Sequence, residues 1–65
     1  MIHILASFEV KNDKLSDFIK LCNELIEESR KEEGCVSYHL QQNTERENYL
    51  VFVEEWKSNE AIEKH

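Results

Sequence analysis

Between Gly34 and His65 the chain runs two alternating strands, a polar loop and the start of a helix, an order that leaves few folds open. Cys35, Ser37, His39 and Gln41 alternate with Val36, Tyr38, Leu40 and Gln42, so an apolar strand opens at Cys35–Leu40 behind the one glycine of the chain. Residues 43–48, Asn-Thr-Glu-Arg-Glu-Asn, carry only polar side chains. Tyr49, Val51, Val53 and Glu55 then alternate with Leu50, Phe52, Glu54 and Trp56. Two period-two stretches joined by a short polar loop predict an antiparallel hairpin. Ser58 is an N-cap candidate for a helix over 59–65 that carries Ala61 and Ile62. That helix has barely two turns when the sequence stops. The expectation is a chain cut short of its last elements, or one that buries its core with help from outside itself.

Upstream the same periodicities continue. Ile2, Ile4, Ala6, Phe8 and Val10 share one face of a strand, and His3, Leu5, Ser7 and Glu9 share the other. Leu5 and His3 on the second face predict that it too is at least partly covered. Asn12 and Asp13 are cap candidates for a helix from about Lys14 to Glu32, roughly 28 Å long at 1.5 Å per residue. Leu15, Phe18, Ile19, Cys22, Leu25, Ile26 and Ser29 fall at its helical spacing. Lys20, Glu24, Glu27, Glu28 and Lys31 fill its outer face. Gly34 lies just past its end, where a left-handed cap needs no Cβ.

The order is β-α-β-β-α, one strand short of the split β-α-β repeat of ferredoxin-like folds. A helical crossover between Val10 and Cys35 predicts a first strand parallel to a neighbour. Without a closing strand, that first strand lies at an open sheet edge.

With 65 residues, one domain over 1–65 is expected, and its stability is marginal unless something reinforces it. Eight basic residues against fourteen acidic ones give a net charge of −6, which argues against nucleic acid as a partner. No apolar run approaches the ~20 residues of a membrane span. Two cysteines are too few for a disulfide framework, and the first strand lacks the basic flank of a secretory signal. The cytoplasm is the expected compartment. His3, His39 and His65 are too scattered to predict a metal site.

No spacing names a reaction by itself. Glu54 stands on the apolar row of Leu50, Phe52 and Trp56, either at a solvated rim or in a cleft that disfavours its charge. Glu55 reads as solvated and Trp56 as a plug at the sheet–helix junction. Tyr38 reads as core with its hydroxyl reaching a partner, and His39 as an exposed or hydrogen-bonded strand residue. Cys22 and Cys35 read as small buried hydrophobes rather than nucleophiles, with no adjacent base to activate them.

Glu33-Gly34-Cys35-x-x-Tyr38 leading one strand, then Phe52-x-Glu54-x-Trp56-x-Ser58-x-x-Ala61-x-x-x-His65, resembles the antibiotic biosynthesis monooxygenase family, in particular its small quinol-monooxygenase-like members. The resemblance covers the whole chain. It implies an α+β, ferredoxin-like β-α-β-β-α(-β) monomer with an antiparallel sheet that pairs into a dimeric α+β barrel. Family members run past the position of His65 into the rest of the second helix and a fourth strand, so a C-terminal part is missing here. The implied activity is oxidation of small quinol or polyphenol-type aromatics with oxygen and no metal, flavin or other cofactor. The implied pocket lies between sheet and helices. Glu54 and His65 are its expected catalytic groups, and Trp56, His39 and Tyr38 its substrate-binding ones. The expected partners are a second copy of the chain and a small aromatic molecule.

Two other readings stand beside this one. A non-catalytic dimeric ligand-binding or structural module fits the absence of a reaction-naming motif. An isomerase or lyase of a small phosphorylated metabolite would need a basic anchor, and the eight lysines and arginines fall mostly on outer faces or in loops.

Overall fold

In the computed structural model, which describes residues 1–65, the order is β1 (Ile2–Glu9), a 3-10 turn (Asn12–Lys14), α1 (Leu15–Arg30), β2 (Cys35–Gln42), β3 (Tyr49–Trp56) and α2 (Asn59–Lys64). The three strands form one sheet in the order β1-β3-β2, antiparallel throughout. The crossover helix therefore leaves β1 parallel to β2 but not beside it. β3 is inserted between them, and the expected parallel neighbour of β1 is replaced by an antiparallel one. β1 and β2 are the edges of the sheet.

The register fixes two faces. Ile4 pairs with Glu54, Ala6 with Phe52 and Phe8 with Leu50 across β1 and β3. Tyr38 pairs with Glu54 and Leu40 with Phe52 across β2 and β3. These residues look toward the helices. The core comprises Cys22 and Ile26 of α1, Tyr38, Phe52 and Trp56 of the sheet, and Ala61 of α2. Phe18, Phe8, Phe52 and Tyr38 meet in that order through ring centroids 5.2–5.4 Å apart, within the range where aromatic pairs attract beyond their area.

Strict alternation in β2 fails at its start. Cys35 pairs with Trp56, but Ser37 pairs with Glu55, and the irregularity between them leaves Val36 unpaired. The bulge turns Cys35 onto the core and Val36 outward, where it is 44% exposed. The apolar row of α1 also differs from its periodicity. Cys22, Ile26 and Ser29 are buried, whereas Leu25 is 43% exposed. The buried line follows residues three and four apart, and Leu25 falls to one side of it.

The ends of α1 are made by the backbone. Neither Asn12 nor Asp13 acts as a side-chain cap. The chain enters through the 3-10 turn, where Lys14 N–H donates to Lys11 O at 2.9 Å. Gly34 stands at φ 91°, beyond a turn in which Glu32 N–H donates to Ser29 O. It meets a second demand as well, since a Cβ built on it would come within 2.5 Å of the Ala61 Cβ. The hairpin loop is shaped by Asn43, whose Oδ1 accepts from the N–H groups of Glu45 and Arg46. Ser58 caps α2 as expected, its hydroxyl accepting from Ala61 N–H at 3.3 Å.

Candidate functional site

The feature that least fits an apolar core is Glu54, 6% exposed in the row that faces the helices. Burying a carboxylate requires donors. Trp56, two residues along the same face and fully buried, supplies one, its Nε1–H donating to Glu54 Oε1 at 2.9 Å. Strand alternation puts the pair side by side, and Ile4 and Tyr38 flank Glu54 from the neighbouring strands.

Tyr38 is 3% exposed and stacks edge-on to Trp56 with centroids 6.3 Å apart. Burial, and then the charge of the nearby Glu54 carboxylate, push its phenol above the ordinary range, so it stays a neutral hydrogen-bonding group. Ser29 Oγ of α1 is buried in the same region and has no hydrogen-bond partner, although it lies close enough to the phenol to oppose part of that rise.

His65 closes the group from the end of α2. Its ring centroid is 4.8 Å from that of Trp56 and 5.6 Å from that of Tyr38. Its Nδ1 lies 2.6 Å from Glu32 Oε2, in the turn after α1. Four of the five sequence-nominated residues, Glu54, His65, Trp56 and Tyr38, thus converge where β3 meets α2. His39 does not join them. It is exposed, and its Nδ1 is 3.2 Å from Arg30 Nη2, while Arg30 Nε–H donates to Tyr38 O. His39 and Arg30 instead line a groove between α1 and β2 with Ile19, Asn23, Ile26 and Leu40.

Glu32 and Ser29 are the polar members of the cluster that sequence reasoning did not nominate for a role. Glu32 lies 33 positions from His65, and no periodicity links the two. Cys35 borders the group, but burial first, then the charges of Glu32 and Glu54, raise its thiol above the ordinary value, with Arg30 opposing. Burial alone raises Cys22. Both thiols are held in the poorly nucleophilic form. No three His, Cys, Asp or Glu side chains are grouped to hold a metal ion. No helix is long and apolar enough to cross a membrane.

A three-stranded antiparallel sheet with helices on one face, and a buried Glu–Trp pair at the β3–α2 junction, define a ferredoxin-like α+β domain. The family model described as antibiotic biosynthesis monooxygenase matches residues 1–65, and the chain belongs to that family. It is 36% identical over 64 residues to the protein sll1783 of Synechocystis sp. (strain ATCC 27184 / PCC 6803 / Kazusa), covering 98% of this chain and 44% of that protein. It is 35% identical over 65 residues to YcnE of Bacillus subtilis (strain 168), provisionally named a monooxygenase, covering 100% of this chain and 68% of that protein. The solved structure of a conserved protein from Methanosarcina mazei Go1 is 40% identical, with a TM-score of 0.93 over 97% of this chain and 62% of that one. The chain therefore spans from under half to about two thirds of the length of these relatives.

Proposed function

We propose that the chain carries the core of a monooxygenase that oxidises small quinol or polyphenol-type substrates with oxygen, without a cofactor, as a homodimer. The observation that carries this reading is Glu54, a carboxylate buried on an apolar face and held by Trp56, with Tyr38 beside it and His65 packed on the Trp56 and Tyr38 rings. In this mechanism a polar group of that set takes a proton from a phenolic hydroxyl. The resulting phenolate is electron-rich enough to meet oxygen. The electrons balance without an external reductant: hydroquinone and O2 give hydroxyquinone and water, the substrate supplying all four electrons. Trp56 and Tyr38, both buried, are the proposed aromatic wall of the site. His39, on the far side of β2, is the weakest member of the proposed substrate-binding set. The two free thiols, Cys22 and Cys35, suit a reducing compartment such as the cytoplasm.

A second reading, a non-catalytic dimeric ligand-binding or structural module, is favoured by one observation. The three principal clefts of the surface are lined by other residues, and none reaches Glu54, Trp56 or His65. Oxygen uptake by the full-length protein over a panel of hydroquinones separates the two. Uptake above background that falls about 100-fold or more in Glu54→Gln supports the monooxygenase. Background uptake across the panel sinks it in favour of the binding module, and uptake in Glu54→Gln equal to that of an active wild type removes Glu54 from the chemistry.

A further inference from the structure

The Glu32–His65 contact bears on the chemistry of the site. Glu32 Oε2 is 2.6 Å from His65 Nδ1. An ionised carboxylate can only accept a hydrogen bond, so Nδ1 must carry the proton. In neutral imidazole the second nitrogen, Nε2, is then the acceptor with a free lone pair. Nε2 has no hydrogen-bond partner, Glu32 being the single polar partner of the ring. The ring itself is fixed by Trp56 and Tyr38, at 4.8 and 5.6 Å between centroids. Both side chains are sheltered, the histidine 26% and the glutamate 32% exposed. The contact still lies at the surface, and what fixes its histidine is the packing of the ring on Trp56 and Tyr38.

We propose that Glu32 is a positioning residue, one that fixes His65 as the Nδ1–H tautomer and leaves Nε2 as a proton acceptor for the site. The proposal rests on the assignment of Glu54 and His65 as the site's polar groups. It adds a third polar position, a second carboxylate on a different element, that acts only through the histidine. Glu54 touches Trp56 and not His65, so the two carboxylates have separate tasks.

The test is nitrogen-15 NMR of His65 in the full-length protein at about pH 8, above the ordinary histidine range. Wild type is expected to show the Nδ1–H pattern. Glu32→Ala is expected to shift it to the Nε2–H form that free histidine prefers. Glu32→Gln, whose amide oxygen can still accept from Nδ1–H, is expected to retain the wild-type pattern. Thermal unfolding of each variant identifies any loss of fold, and Glu32→Gln keeps the test decisive if Glu32→Ala is too unstable. An Nε2–H pattern in wild type, an unchanged pattern in Glu32→Ala, or an Nε2–H pattern in a folded Glu32→Gln overturns the assignment. In the oxygen-uptake assay Glu32→Ala is expected to lower kcat about 10-fold with KM nearly unchanged. A wild-type kcat in Glu32→Ala overturns the positioning role. Background uptake by wild type sinks the monooxygenase reading, while the tautomer experiment still decides this one.

Discussion

Tyr38 shows how burial and chemistry meet in one side chain. Its ring packs on Phe52 and Trp56 while its phenol lies beside a buried carboxylate. A phenol whose folded-state pKa is raised binds its proton more tightly in the native state than in the unfolded one. Its contribution to stability is therefore complete below the unfolded value, ordinarily 10.0, and is lost as pH rises through the folded value. The raised thiols of Cys22 and Cys35 act with the same sign from an ordinary value of 9.0. Denaturant unfolding should give nearly constant stability from neutrality to about pH 9 on account of these groups, with a decline above it. Tyr38→Phe keeps the ring and removes the titration, so its alkaline decline should be shallower than wild type. An identical slope in the two proteins rules out Tyr38 as a source.

At the scale of elements, the turn between α1 and β2 is the seat on which α2 rests. Gly34 faces Ala61, Gly34 O accepts from Lys57 N–H at 2.9 Å, and Glu32 holds His65. Gly34→Ala opposes this seat twice, through a positive φ and through the 2.5 Å approach to Ala61. The backbone part alone costs about 1–2 kcal/mol, and the contact adds to it. Urea unfolding of the full-length protein should show a loss of at least that size. A Gly34→Ala protein as stable as wild type would mean that α2 is not pressed against the turn. The glycine was legible in the sequence as a helix stop, but not its contact with Ala61, because only the tertiary fold brings positions 34 and 61 together. The same division runs through the chain. Period-two alternation marked all three strands and Ser58 marked α2. The pairing of β1 with β3, the bulge at Val36 and the backbone capping of α1 follow from how the elements assemble, which local pattern does not encode. The site divides likewise. Glu54 announced itself as an acid in an apolar row, whereas Glu32 is one of many glutamates until α2 folds over it.

The whole molecule is a slab, 36 × 20 × 15 Å along its principal axes, with helices on one side of the sheet only. The other side presents Leu5, Val51, Val53 and Val36, with His3, Glu55 and Ser37 beyond them. Leu5 is 71% exposed and pairs with Val53, and Val53 in turn pairs with His39. One helical layer buries one face of a sheet, and an apolar second face calls for another layer. Among the charged groups here, Ser37 Oγ donates to Glu55 Oε1 at 3.0 Å and His3 Nδ1 stands 4.0 Å from Glu55 Oε2. These polar contacts lie across one end of the face and leave Leu5, Val53 and Val51 as an apolar strip, flanked by Ser7, His39 and Gln41, where an identical face from a second copy could pack. The proposed homodimer is placed on this surface. Sedimentation of the full-length protein at micromolar concentration should then give a dimer. Leu5→Glu puts a charge where that interface would exclude water, and should raise the dimer dissociation constant about 10-fold or more. Because folding and association are linked, the wild-type melting temperature should rise with protein concentration, and that dependence should weaken in the variant. A compact wild-type monomer at micromolar concentration rules out the homodimer, and a Leu5→Glu dimer as tight as wild type moves the interface to another surface.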